Sequence, residues 1–146
     1  MNKNSFLYEK DFYAWAMHNA QLLRQGKLKE IDVDNLAEEI EIMGGREKRE
    51  LVSRLAILIA HLLKWQFQPD RRSNSWKKTI KDQRSEIEDI IEESPSLQNQ
   101  LNDKWNKAYK KAVNNASRET AISEKNFPQE CPYTLEQCLD DEFFPE

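Results

Sequence analysis

The chain has 146 residues, the size of one domain, and its 33% charged and 38% apolar residues with 3 Gly and 5 Pro favour helix over sheet. A formal net charge of -4 excludes a global attraction to nucleic acid. No apolar segment follows the basic start, and Arg54, His61 and Lys64 interrupt the most apolar stretch, so neither a signal peptide nor a membrane span is expected and the reading is cytoplasmic.

The first predicted helix runs from about Tyr8 to Gln25, with Phe12, Trp15, Ala16, Asn19, Leu22 and Leu23 on one face and Gly26 placed as a left-handed cap. His18 lies at the edge of that face as a boundary residue. A second helix starts at Asp32, whose side chain can accept free backbone N–H groups. Leu36, Ile40, Met43, Glu47, Leu51, Leu55, Leu58, Leu62 and Trp65 keep one phase through it. Gly44-Gly45 costs about 2 kcal/mol of helix propensity in the middle. The unbroken phase favours one long, bent helix of roughly 50 Å to Phe67 over two helices joined by a tight turn.

Pro69 ends that helix, because the residue before a proline is pushed out of helical geometry. Ser73, Asn74 or Ser75 caps a third helix to about Glu93, with Trp76, Ile80, Gln83, Ile87, Ile90 and Ile91 inward and Arg84 on the flank. Ser94-Pro95 reads as a cap followed by proline at the first helical position. The fourth helix then runs to about Arg118, with Leu97, Leu101, Trp105, Ala108, Tyr109, Ala112 and Ala116 inward. Residues 119–133 are irregular. Thr134 to Gln137 fits a capping box and opens a short helix, Leu135 to Leu139. Phe143 and Phe144 sit close enough to the end of the chain to dock it onto the body. The expected fold is all-α, a single domain over 1–146. An antiparallel four-helix-bundle-like body spans 1–118, and a mostly irregular acidic tail, 119–146, packs on it.

Local charge is uneven. Residues 64–84 hold seven cations against Asp70 and Asp82, a net of +5, while residues 126–146 hold six acids and no cation. The two regions can attract each other within the fold, the alternative to two separate binding surfaces. The two cysteines, Cys131 and Cys138, are too few for a disulfide scaffold and read as reduced thiols.

Six segments occur in order: Tyr8-Glu9-x-Asp11-Phe12-x-x-Trp15, Asn35-Leu36-Ala37-Glu38-Glu39-Ile40-Glu41, His61-Leu62-Leu63-Lys64-Trp65, Ser75-Trp76-x-x-Thr79-Ile80-x-x-Gln83-Arg84, Ser94-Pro95-Ser96-Leu97 and Cys131-Pro132-Tyr133-Thr134-Leu135. Together they closely resemble the bacterial family called domain of unknown function 29, over nearly the whole chain. The resemblance implies an all-helical, single-domain cytoplasmic protein of a kind abundant in cyanobacteria, with no established activity, cofactor or catalytic residue. One departure is Gly44-Gly45, where the family pattern carries a single glycine; it bears on the continuity of the second helix.

Glu47, Glu50, Arg54, Ile57, His61 and Lys64 step by three or four along one side of the second helix. They are either a solvated boundary face or a semi-buried polar network. In the network reading His61, Lys64 and Arg84 meet a carboxylate from Glu38, Glu39 or Glu41 and form a ligand or proton-transfer site. Neither His has a Glu three residues before it, so the di-metal bundle pattern is absent and no metal is expected. No nucleophile elbow and no phosphate loop occurs, so no catalytic residue and no cofactor is assigned. Arg71, Arg72, Lys77, Lys78 and Lys81 make a modest basic patch that could neutralise phosphate, although Trp65 and Trp76 fall on apolar faces. The leading reading is a non-enzymatic protein-interaction or regulatory module whose partner is another protein or a second copy. A nucleic-acid-associated regulator using the basic 64–84 region comes next, then an enzyme or small-ligand binder around His61. No membrane partner is expected.

Overall fold

The computed structural model of the chain describes residues 3–146. Every regular element among them is helical: α1 Lys3–Lys10, α2 Phe12–Arg24, α3 Val33–Phe67, α4 Asn74–Glu93, α5 Leu97–Thr120 and α6 Leu135–Leu139, with 3-10 turns at Pro69–Arg71 and Glu124–Asn126. The chain divides into two compact units, Met1–Arg46 and Glu47–Glu146, and α3 continues through the boundary between them without a break at Gly44-Gly45. No helix among the described residues is long and apolar enough to cross a membrane.

In unit one the expected first helix is two helices. Asp11 leaves helical geometry at φ -150° and its carboxylate accepts the Ala14 N–H at 3.0 Å, so it starts α2 where the apolar spacing alone reads straight through. At the other end Gly26 has φ +71°. The Lys27 N–H bonds to the Leu22 carbonyl at 3.0 Å and the Gly26 N–H to the Leu23 carbonyl at 3.1 Å, which closes a Schellman cap. Trp15, Asn19 and Leu22 are buried as the helical spacing predicts. Phe12 and Leu23 are not: they are 51% and 46% exposed, because they lie at the two margins of the face that Trp15, Asn19 and Leu22 bury.

A buried polar cluster ties α1, α2 and the start of α3 together. Asn4 and Asn19 exchange amide hydrogen bonds of 2.8 and 2.7 Å, and Asn19 also accepts the Asp32 N–H at 3.0 Å. Trp15 Nε1 and Asn35 Nδ2 donate to the Asp32 carboxylate at 2.9 and 2.8 Å. Burial works against the charged form of Asp32, but these donors outweigh it and hold the carboxyl below its usual range. The Asp32 carbonyl accepts the first helical bond of α3, from Leu36 N at 2.9 Å, and the Asn35 backbone N–H bonds to its carboxylate, so the expected cap of that helix is in place.

In unit two the core forms around the second half of α3. Leu51, Leu55, Leu58, Ile59, Leu62 and Leu63 are fully buried, and Ile80 and Ile87 of α4 with Leu101, Ala108 and Ala112 of α5 close over them. Ser73 caps α4 by accepting the Trp76 N–H at 3.2 Å. The Ser94-Pro95 reading needs correction. Ser94 ends α4 and its hydroxyl donates to Glu47 at 2.9 Å, while α5 begins at Leu97 after a turn. Thr134 and Gln137 form the expected capping box of α6. Phe127, Tyr133 and Cys138 of the following chain are buried in the same core.

The end of α5 carries a conformational cost. Ala121 sits in the left-handed region at φ +62°, and its N–H bonds to the Ser117 carbonyl at 3.0 Å. A Cβ there costs about 1–2 kcal/mol, which glycine avoids at the expense of about 0.5–1 kcal/mol of chain entropy. Ala121→Gly is therefore expected to raise unfolding stability in urea by roughly 0.5–1 kcal/mol; a loss of stability would contradict the left-handed assignment.

Candidate functional site

The cations and rings that the sequence collects near the end of α3 are sorted by geometry into two groups, both within unit two. The first begins with His61, whose Nδ1 donates to the Ile57 carbonyl one turn back at 2.9 Å. One turn on, Lys64 is 8% exposed, lies 4.9 Å from the Trp76 ring centroid and pairs with Glu119 of α5 at 3.0 Å. Its alkyl stem crosses the core and its head reaches the margin. Burial, then the nearby Lys64 charge, holds the His61 pKa below its usual value, against the Ile57 carbonyl and Glu119.

The second group forms because Pro69 stops α3 and a 3-10 turn brings the chain back. Arg72 then donates from Nε to the Trp65 carbonyl at 2.8 Å, satisfying an acceptor left open at the helix end, and its guanidinium lies 5.0 Å from the Trp65 ring. Its Nη2 reaches the Pro145 carbonyl at 3.4 Å. Trp65 meets Phe144 in a tilted contact with centroids 5.0 Å apart, Lys77 Nζ lies 5.7 and 6.0 Å from these two rings, and the Arg84 guanidinium is 5.4 Å from Phe144. The result is a ladder of alternating cations and rings.

Arg84 is 1% exposed and holds the C-terminal segment by its backbone. Its Nε donates to the Cys138 carbonyl at 2.6 Å and its Nη2 to the Phe143 carbonyl at 2.7 Å; longer bonds of 3.5 and 3.4 Å reach the Gln137 and Asp141 carbonyls. The charge complementarity of the two segments therefore does not take the form of salt bridges. Among the described residues no ion pair joins the 64–84 segment to the acids of 126–146; the carbonyls do the holding.

Within unit two the residues His61, Lys64 and Arg84 of the expected network are divided between these two groups. His61 and Lys64 come together, but their carboxylate is Glu119. Arg84 turns to main-chain carbonyls, the acceptors within its reach once it is buried under the terminal segment. Glu38 and Glu41 are exposed residues of unit one, where Glu39 bonds to the Tyr8 hydroxyl and raises its pKa to about 12. The Glu50–Arg54 pair forms at 3.0 Å as its spacing predicts. Of the basic-patch residues, Lys78 pairs with Asp82 at 2.6 Å, Arg72 and Lys77 lie against rings, and Arg71 and Lys81 are exposed. Trp65 is 9% exposed and Trp76 half-buried, so neither is an open stacking platform.

Phe143 and Phe144 pack against the core as expected of the chain end, whereas sequence reasoning missed Glu119 as the partner of Lys64 and the Asp141 carbonyl as an acceptor for Arg84, both brought in from far along the chain. Cys131 and Cys138 are free thiols; burial pushes Cys131 up to about 11 and Cys138 higher still, so both remain protonated and poorly nucleophilic. Among the described residues no group of three His, Cys, Asp or Glu side chains could hold a metal ion.

A family model described as domain of unknown function DUF29 matches residues 7–144, and the chain belongs to that family. No curated protein and no solved structure matches the chain at a significant level.

Two outcomes follow from these contacts. Arg84→Met keeps the volume but leaves the carbonyls of the terminal segment without their donor. It is expected to cost about 2–4 kcal/mol in denaturant unfolding, and limited proteolysis should then cut beyond Tyr133 first. For His61, the lowered pKa means that the unfolded chain binds the proton more tightly. The stabilising contribution is thus complete above about pH 6.5 and is lost as the pH falls below it. His61→Gln should lose less stability than the native chain between pH 7 and pH 5; equal slopes would remove the assignment.

Proposed function

We propose that this member of the DUF29 family is a non-enzymatic protein-interaction module whose partner is a second copy of the chain, paired through the first half of α3. The observation that carries this reading is the distribution of exposed apolar surface. Phe6, Phe12, Tyr13, Met17, Leu23, Leu28, Val33, Ile40 and Met43 are the exposed large hydrophobics among the described residues, and all of them lie in unit one. Exposed apolar surface of this kind marks a place where another molecule is met.

The pattern on α3 narrows the partner. Val33, Leu36, Ile40 and Met43 are spaced three, four and three apart, the a and d positions of two heptads. β-Branched residues at a with Leu or Met at d favour two-stranded pairing. Val33, Ile40 and Met43 are 60%, 60% and 61% exposed. Gly44 sits beside this seam, and no atom lies within 4 Å of where a Cβ would stand. Glycine there costs about 1 kcal/mol relative to alanine. Nothing in the chain uses the space it frees, whereas a facing helix would. Two heptads make a short seam, so the pairing is expected to depend on concentration. The short connections between α3, α4 and α5 support an antiparallel bundle as the scaffold carrying this surface.

Sedimentation velocity over a hundredfold concentration range tests the proposal. The native chain should move from monomer to dimer, and Ile40→Asp combined with Met43→Asp should stay monomeric. Both positions are exposed, so the monomer's own stability should change by no more than about 0.5 kcal/mol per site. A native chain that remains monomeric throughout removes the reading.

A further inference from the structure

A half-open cavity of about 280 Å³ is lined by Lys77, Lys81, Arg84, Asp141 and Phe144. Three cations and one carboxylate thus face one partly open space, with Lys77, Lys81 and Asp141 at its exposed rim and Arg84 buried. Arg84 has five N–H donors. Four are bonded to carbonyls, and one hydrogen on Nη1 has no acceptor among the described residues. Among the described residues no carboxylate lies within ion-pair distance of Lys77, Lys81 or Arg84, and the more distant charges of Asp141, Asp140 and Glu88 only partly offset the burial that works against the Arg84 charge. Lys77 and Lys81 stand one turn apart on α4, and Arg84 follows three residues on, so the three charges converge on one side of the helix.

We propose that this cavity binds a compact phosphate dianion, with Arg84 as a fixed donor and Lys77 and Lys81 as the closing charges. The volume lies below the roughly 300–1,000 Å³ of sites for drug-sized ligands, which suits a small ion or a small phosphomonoester. Phe144 offers an apolar wall to whatever the phosphate carries. A nucleic-acid backbone fits less well. Asp141 lines the cavity and opposes any phosphate there, so the three cations must outweigh it; a polyanion running past the site would also meet Asp140 and Glu142, which adjoin it in sequence, whereas a compact ion need not. Lys78, one of the exposed cations an extended strand would use, is held by Asp82.

Amide-detected NMR titration of the full chain with inorganic phosphate, against sodium chloride at matched ionic strength, tests the site. Saturable shifts confined to residues 77–84 and 141–144 are expected with phosphate and not with chloride. Phenyl phosphate in a second titration separates the two sources. Tighter binding than phosphate assigns the site to a phosphomonoester, and equal binding assigns it to the free ion. Lys77→Glu with Lys81→Glu should weaken binding by about tenfold or more, while Lys78→Glu on the neighbouring face should leave it within about twofold. Lys77→Gln with Lys81→Gln repeats the comparison without introducing repulsion that could disturb the fold. Diffuse shifts that do not saturate, or native affinity in both double variants, would overturn the proposal. So would binding of a single-stranded oligonucleotide with none of phosphate. The site lies wholly in unit two, so the mass of the Ile40→Asp, Met43→Asp chain and this titration fail or succeed separately.

Discussion

Burial of the second half of α3 on almost every side is the constraint from which unit two follows. Between Leu51 and Trp65, buried residues occur at consecutive positions and not merely at every third or fourth: Leu51-Val52, Leu55-Ala56, Leu58-Ile59-Ala60 and Leu62 through Trp65. A helix apolar around most of its circumference must be surrounded. One neighbouring helix cannot do that. α4 and α5 cover part of it, and the mostly irregular chain after Thr120 supplies Phe127 and Tyr133, with Cys138 from the short α6, for the rest. The long non-helical segment is therefore a structural wall, and its backbone polar groups need partners wherever it is pressed against the core.

That requirement explains the arginines. Near the end of the wall the chain forms only a five-residue helix and then runs irregularly, so carbonyls at 137, 138, 141 and 143 face inward with few main-chain donors available. A planar fork with five donors meets that need where a lysine, with one point charge, would not. Arg72 does the same at smaller scale, joining the open end of α3 to Pro145. The cations of this region are thus divided by their partners. Arg84 and Lys64 are buried, Arg72 and Lys77 lie at the surface with their heads against rings, and Lys78 pairs with Asp82. Arg71 and Lys81 are exposed without an ion pair among the described residues.

How much was legible in the residues depends on how local each cause is. The extents of α3, α4 and α6 could be read because their starts and stops lie within a few positions: Asp32, Pro69, Ser73, and the Thr134–Gln137 box. The break at Asp11 was missed because apolar spacing continues across it and an aspartate mid-pattern looks like a surface residue until its carboxylate is seen on Ala14 N. The partners of Lys64 and Arg84 were out of reach for a different reason. Glu119 is 55 residues from Lys64, and the Arg84 acceptors are backbone atoms 53–59 residues away, which no side-chain pattern advertises. The attraction between the basic and acidic segments was readable as net charge; its execution through carbonyls was not.

The same helix carries two opposite solutions to one periodic pattern. From Leu51 onward its apolar positions are sealed inside the core, whereas Ile40 and Met43, in the same phase, stand in solvent. Helix propensity cannot account for keeping that first half helical through two glycines, since the pair disfavours helix by about 2 kcal/mol. What holds its start is the Asp32 cluster, where Trp15, Asn19 and Asn35 converge on one buried carboxylate and its backbone N–H. Three polar side chains and a tryptophan are thus committed to fixing a helix start whose exposed seam does nothing for the isolated chain. A feature maintained at that cost, and unused within the molecule, is understandable if a second surface completes it.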